Sequence, residues 1–277
     1  AFQLGPPVLE TLLAQRVPFV YDFDDAIFLP ASNEINPRVR RLKRPHHVGK
    51  IVAMATRTTV GNEFLASYAR QFNGNTHVIP TTLDTDEYRP REKSEAKRAL
   101  RIGWSGSFST ASHLHTIDPA LRQVLRWPRT ELFVLGAPDF QLAGARNVIA
   151  KRWTLETEIA DVSSFDIGLM PLPDTALSRG KCGFKALLYM SLGIPCIVSP
   201  VGVNCEIIKD GENGLLASTE DEWVEAIGRL ADDPALRKRL AEAGRQTVVE
   251  RYSGQRWAPR FLDILREAAE SRVATAG

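Results

Sequence analysis

Cysteine is scarce in this chain, three in 277 residues, and Cys182, Cys196 and Cys205 lack the close pairs that hold a metal. An odd, small number in a long chain excludes a disulfide scaffold and fits a reducing compartment, with the thiols expected to be buried or nearly so. Apolar runs long enough to span a bilayer are missing too, and the opening AFQLGPPV has neither the charged nor the apolar region of a signal peptide. Charge of one sign is equally short: 35 Lys and Arg against 33 Asp and Glu leave a net charge of +2, which argues against a nucleic-acid partner. The one local excess, Arg38, Arg40, Arg41, Lys43 and Arg44, reads as a solvated helix face. Neither the histidines nor the cysteines have ligand spacing, so no structural or catalytic metal is expected. No G-x-G-x-x-G follows a strand with an acidic residue beyond it, which weighs against a dinucleotide-dependent oxidoreductase.

What is present is an ordinary globular composition, 44% hydrophobic and 25% charged, in which helical and strand patterns alternate. Short apolar strands are predicted at 18–21, 58–60, 77–80, 100–104, 131–135, 148–150, 167–170, 195–199 and 215–217. Helical patterns fall before, between and after them, at 8–15, 38–55, 63–71, 114–125, 156–162, 184–192, 221–231, 234–250 and 257–270. Buried strands separated by helices indicate an α/β protein with parallel, doubly wound sheets. The polar stretch TDEYRPREKSEAK, 85–97, reads as a linker. The division predicted is a partial N-terminal Rossmann-like domain over 1–88, a complete C-terminal one over 89–252, and a last helix, 253–277, able to cross back to the first.

The stretch from Arg179 to Ile208, RGKCGFKALLYMSLGIPCIVSPVGVNCEII, is the richest in chemistry. A helix opening on Gly183 and Phe184, with Gly180, Lys181 and Lys185 about it, turns unpaired backbone N–H groups and ammonium charge toward one spot, which favours an anion. Any α/β unit with Gly193 ending a helix and solvated lysines would read the same way. Earlier in the chain, Asp22, Asp24 and Asp25 follow a strand at its carboxyl end, where sites in open sheets gather. They offer a general base, or only a solvated turn in which Asp25 caps the next helix. His46 and His47, adjacent on a helix, read as surface residues.

Taken in order, VIP at 78–80, LDTDEYRP at 83–90, IGWSGSFST, FDIGLMPLPD, GKCGFKALLYMSLGIPCIVSPVG, NGLLA and the late ERYS at 250–253 resemble the glycosyltransferases of the GT-B fold, family four. The likeness runs from about Tyr21 to Tyr252. It implies two Rossmann-like domains, the C-terminal one holding a nucleotide diphosphate sugar and the N-terminal one an acceptor, with metal-independent transfer of the sugar to a hydroxyl. The resemblance implies no cofactor, the nucleotide diphosphate sugar being substrate, and an acceptor that is a lipid-linked glycan, a polysaccharide or a small molecule.

The resemblance assigns Ser105, Gly106 and Ser107, in the turn after a strand, to the diphosphate. Arg179, Gly180, Lys181, Gly183, Phe184 and Lys185 join them, with Arg179 and Lys181 favoured as the cations. Arg152 and Trp153 fall where similar proteins hold the base. By their own place in the chain, Asp24 and Asp25 are the candidates for activating the acceptor, and His113 or His115, following the Ser107 turn, for a hydrogen bond to the leaving group. One departure stands out. Family members carry two acidic residues eight apart, the second for the ribose hydroxyls, and those positions are Gly180 and Leu188 here. Leucine accepts no hydrogen bond, so a non-catalytic or degenerate nucleotide-sugar-binding module is the alternative. The acceptor side lacks the strands that similar proteins have before 18–21, so the sequence is either a fragment or a shortened domain. A shortened domain would expose a sheet edge and predicts a homo-oligomer or other partner. The expected location is cytoplasmic, with a place at the surface of the inner membrane left open.

Overall fold

The computed structural model describes residues 8–30, 47–91 and 99–271. Contacts divide the chain into two units. One takes the chain up to Thr81, the short segment Thr175–Cys182 and the residues from Gln255 on; the other takes Thr82–Asp174 and Gly183–Gly254.

In the first unit, strands β1 (Val20–Phe23), β2 (Arg57–Val60) and β3 (Thr76–Val78) pair in that order, all parallel. The first strand lies two residues later than the sequence pattern suggests. Pro18 has no N–H to give a ladder, and the N–H of Phe19 goes instead to the Thr56 hydroxyl at 3.2 Å. Asp22 therefore sits inside β1, where its carboxylate accepts a 2.6 Å bond from Thr59 of the neighbouring strand. Phe23, Val52 and Leu65 form the core of this unit, and Cys182 joins them from the remote segment.

That segment is anchored by Asn62. Its side-chain oxygen caps the helix Glu63–Ala69 by accepting from the N–H of Leu65 at 2.9 Å, while its amide donates to the carbonyls of Gly180 and Lys181 at 3.2 and 3.1 Å. A side chain at Gly180 would stand 2.5 Å from the methyl of Ala26, so close packing asks for glycine there. Thr175 caps a four-residue helix, Ala176–Arg179, where the sequence pattern assigns no element.

The second unit is a six-stranded parallel sheet. Strands β4 (Leu100–Ser105), β5 (Thr130–Leu135), β6 (Val148–Lys151), β7 (Ile167–Met170), β8 (Cys196–Val198) and β9 (Leu215–Leu216) lie in the order β6-β5-β4-β7-β8-β9. Both faces are covered: Leu132 and Val134 enter a core with Leu121, Trp223 and Ile227, while the alternating Phe133 and Leu135 enter one with Leu187, Tyr189 and Val248. That strand order is doubly wound and Rossmann-like, with its reversal beside β4.

Three local expectations change. The helix expected at 114–125 is a 3-10 turn, Phe108–Ile117, followed by an α-helix from Asp118, because Pro119 suits a first helical turn and cannot lie in a helix interior. Residues 85–91 are packed rather than a free linker: Arg245 donates to the carbonyls of Thr85 and Tyr88 at 2.6 and 2.7 Å, and Ser191 to that of Tyr88 at 2.6 Å. Cys182 and Cys196 are buried, but Cys205 is exposed.

Candidate functional site

A cavity of about 700 Å³ opens where β4, β5 and β6 end in the second unit. Small residues make it possible. Gly136, just past β5, has φ of +96°, a backbone region side chains rarely adopt. A Cβ there would lie 1.9 Å from the carbonyl oxygen of Gly106. Both turns are held: the N–H of Gly106 donates to Leu135 at 3.0 Å and that of Gly136 to Lys151 at 2.8 Å.

Gly106 also makes room for a cation. Lys185, on the helix Phe184–Ser191, passes its stem beside Gly106, where an added Cβ would be 2.8 Å from Cε. Its ammonium stands 5.3 Å from the centroid of the buried Trp104 ring, an arrangement that attracts the charge electrostatically. Phe184, Lys185 and Leu188 share the helix face that lines the cavity. At the start of that helix Gly183 has φ of +74°, and a Cβ there would meet Ile207 at 2.2 Å.

Opposite, Ser107 precedes the 3-10 turn and its hydroxyl shares hydrogen bonds with Ser109 at 2.9 Å and Thr110 at 3.3 Å. Arg152 and Trp153 follow β6, Arg152 exposed and Trp153 44% exposed. The Trp153 indole N–H donates to one oxygen of Glu158 at 2.8 Å, and the Tyr88 hydroxyl donates to the other at 2.9 Å. Burial, with the bond to Glu158, pushes the Tyr88 pKa up to about 12, so the phenol remains a donor at neutral pH.

Beneath the site, the buried Tyr189 hydroxyl accepts from the N–H of Ser105 at 2.9 Å and donates to the carbonyl of Leu169 at 3.2 Å, fixing the end of β4 to β7. Tyr189→Phe leaves both buried groups short of a partner and is expected to lower stability by about 1–3 kcal/mol in urea unfolding. An unchanged midpoint would show that the tether carries no energy.

Of the residues singled out from sequence, the structure brings together Ser105, Gly106, Ser107, Arg152, Trp153, Phe184 and Lys185 around one cavity, with Leu188 among them. Arg179, Gly180 and Lys181 belong to the first unit, where the Lys181 ammonium lies 3.5 Å from Asp25. There Asp25 also accepts from the N–H of Ala26 at 2.9 Å, and the Asp24 carbonyl accepts from the Cys182 thiol at 3.0 Å. Burial, with Asp24 nearby, pushes the Cys182 pKa up to about 12. His113 and His115 are not among the cavity's lining; His115 bonds Asp118 at 3.0 Å and stacks on Phe140. His47 is buried rather than on the surface, and the Arg38 to Arg44 run and His46 lie outside the described residues. Among the described residues no group of three or more His, Cys, Asp or Glu is placed to hold a metal ion, and no helix is long and apolar enough to cross a membrane.

Sequence reading missed Tyr88 and Glu158. A signal was there: Glu158 and Val162 stand one turn apart on the buried stripe of Leu155–Ser163, and a glutamate on such a stripe asks for partners.

Residues 99–233 match the family model described as glycosyl transferases group 1. The chain is 26% identical to a D-inositol 3-phosphate glycosyltransferase of Stackebrandtia nassauensis, over 90% of this chain and 61% of that protein. It is 29% identical to an MMP alpha-(1->4)-mannosyltransferase of Mycolicibacterium hassiacum, over 72% of this chain and 49% of that protein. The chain thus spans less than two thirds of the length of these curated relatives. Among solved structures it is similar to a sucrose-phosphate synthase of Thermosynechococcus elongatus, with a TM-score of 0.71 at 18% identity, covering 93% of this chain and 70% of that one. Anabaena HepE, solved in complex with UDP and glucose, gives a TM-score of 0.72 at 16% identity, covering 92% and 73%. These likenesses fix the fold as α/β of the GT-B type, with a complete C-terminal Rossmann-like unit and a three-stranded N-terminal one.

Proposed function

Because residues 99–233 match the model of the group 1 glycosyl transferases, we propose that the chain takes part in moving a sugar from a nucleotide diphosphate sugar to an acceptor hydroxyl, and that the cavity of the second unit holds the donor. The observation that carries this reading is Lys185 crossing Gly106 at the mouth of a cavity at the carboxyl ends of β4 to β6. In such a sheet, ligands bind beyond the strand ends near the reversal of strand order.

The lysine and the backbone N–H groups of the turn after β4 meet the diphosphate, and Ser107 and Thr110 supply hydroxyls at its edge. Charge builds on that diphosphate as the sugar leaves, so fixed cations and donors there lower the barrier. In this reading Lys185 and Arg152 supply the positive charge and no bound ion is required. Trp153 offers a half-exposed ring for the base. Asp24 and Asp25 of the first unit are the candidates for taking the acceptor's proton. The relative named for D-inositol 3-phosphate supports a polar, phosphorylated acceptor.

A second reading, a binding module without transfer, draws on Leu188 in the cavity wall where the resemblance expects an acidic residue. Calorimetry with UDP-, GDP- and ADP-sugars, followed by assay of donor hydrolysis, separates the two. Binding with slow release of free sugar is expected; binding with no turnover, with or without acceptors, favours the module, and no binding of any donor removes both.

A further inference from the structure

Glu158 is the only acidic side chain lining the cavity among the described residues, and it is 7% exposed. A carboxylate so withdrawn from water costs free energy unless donors meet it, and two do, the Trp153 indole N–H at 2.8 Å and the Tyr88 hydroxyl at 2.9 Å, one on each oxygen. A carboxylate accepts about four hydrogen bonds, so each oxygen retains capacity for one more. Tyr88 and Trp153 both donate to it, and neither competes with a ligand for the role of acceptor.

We propose that Glu158 is the binding residue for the ribose hydroxyls of the nucleotide, accepting from the vicinal diol while Trp153 and Tyr88 hold its carboxylate in place. The inference rests on the reading of the cavity as a nucleotide site. Its chemistry is specific: two adjacent hydroxyls suit two adjacent acceptor oxygens, and no other carboxylate in this wall offers them. Trp153, tied to Glu158, then sets base and ribose subsites in one fixed relation. Leu188 fills the same wall with an apolar surface, and the hydroxyls find their acceptor on a different helix.

The test compares UDP, GDP and ADP with their 2′-deoxy counterparts by calorimetry on the whole chain, then repeats the pair that binds on Glu158→Gln. Wild type is expected to bind the ribonucleotide roughly ten- to a hundredfold more tightly than the deoxynucleotide, as for a hydrogen bond to a charged group. In Glu158→Gln, which keeps the shape and one acceptor oxygen, that preference should shrink to a few-fold, with the ribonucleotide losing clearly more affinity than the deoxynucleotide, which keeps only its 3′-hydroxyl. Equal affinity of wild type for both nucleotides overturns the proposal, and so does a Gln variant that weakens both alike and keeps the preference, since Glu158 would then only support Trp153 and Tyr88. Failure of all the ribonucleotides to bind wild type would instead remove the nucleotide reading itself.

Discussion

Gly136→Ala is expected to abolish nucleotide binding and to lower stability by about 2–5 kcal/mol, the joint cost of an unfavourable φ and of a steric clash. Two effects coincide at this residue. Its φ of +96° suits glycine, and the added methyl would sit 1.9 Å from a backbone oxygen rather than from the end of a side chain that could swing away. Neither partner can yield cheaply, because Gly106 is bonded to the end of β5 and Gly136 to the end of β6. Any relief must move the turn after β4, the same turn that flanks Lys185. Urea unfolding gives the stability and calorimetry the affinity; a variant with a wild-type midpoint would show that the contact between the two turns relaxes freely.

Lys185→Ala is expected to weaken diphosphate binding about ten- to a hundredfold, the contribution of one charged hydrogen bond, with stability nearly unchanged. The side chain is held over Trp104 and beside Gly106, so its ammonium needs little reordering when an anion arrives. Raising salt should narrow the difference between variant and wild type, because the lysine acts partly through unscreened charge. Titration of the nucleoside beside the diphosphate locates the effect: only the diphosphate should respond. An equal loss for both would mean that Lys185 shapes the base subsite instead.

Much of the second unit is legible in the sequence because its signals are local. Apolar runs such as Ile167–Met170 end at turns, and the helix Phe184–Ser191 is bracketed by Gly183 and Gly193, both at positive φ. The site is less legible where it depends on residues that are far apart in the chain. Tyr88 and Glu158 are 70 positions apart, and although the place of Glu158 one turn before Val162 hints at its burial, nothing local names Tyr88 as its partner. Cations four positions apart, Lys181 and Lys185, fall in different units. Leu177 and Cys182 join the core of the first unit and Asn62 binds the carbonyls beside them, a tertiary preference that no local pattern carries. Asp22 shows the same limit at smaller scale: a proline and a threonine hydroxyl moved the strand start by two residues and drew one carboxylate of the acidic turn into a sheet bond.

The most direct test is a crystal structure of the chain with whichever of UDP, GDP or ADP binds most tightly. The diphosphate is expected within about 3 Å of the Lys185 ammonium and of backbone N–H groups beside Gly106, with the base against Trp153. A nucleotide bound elsewhere on the chain, with the Gly106, Lys185 and Trp153 walls untouched, would contradict the assignment.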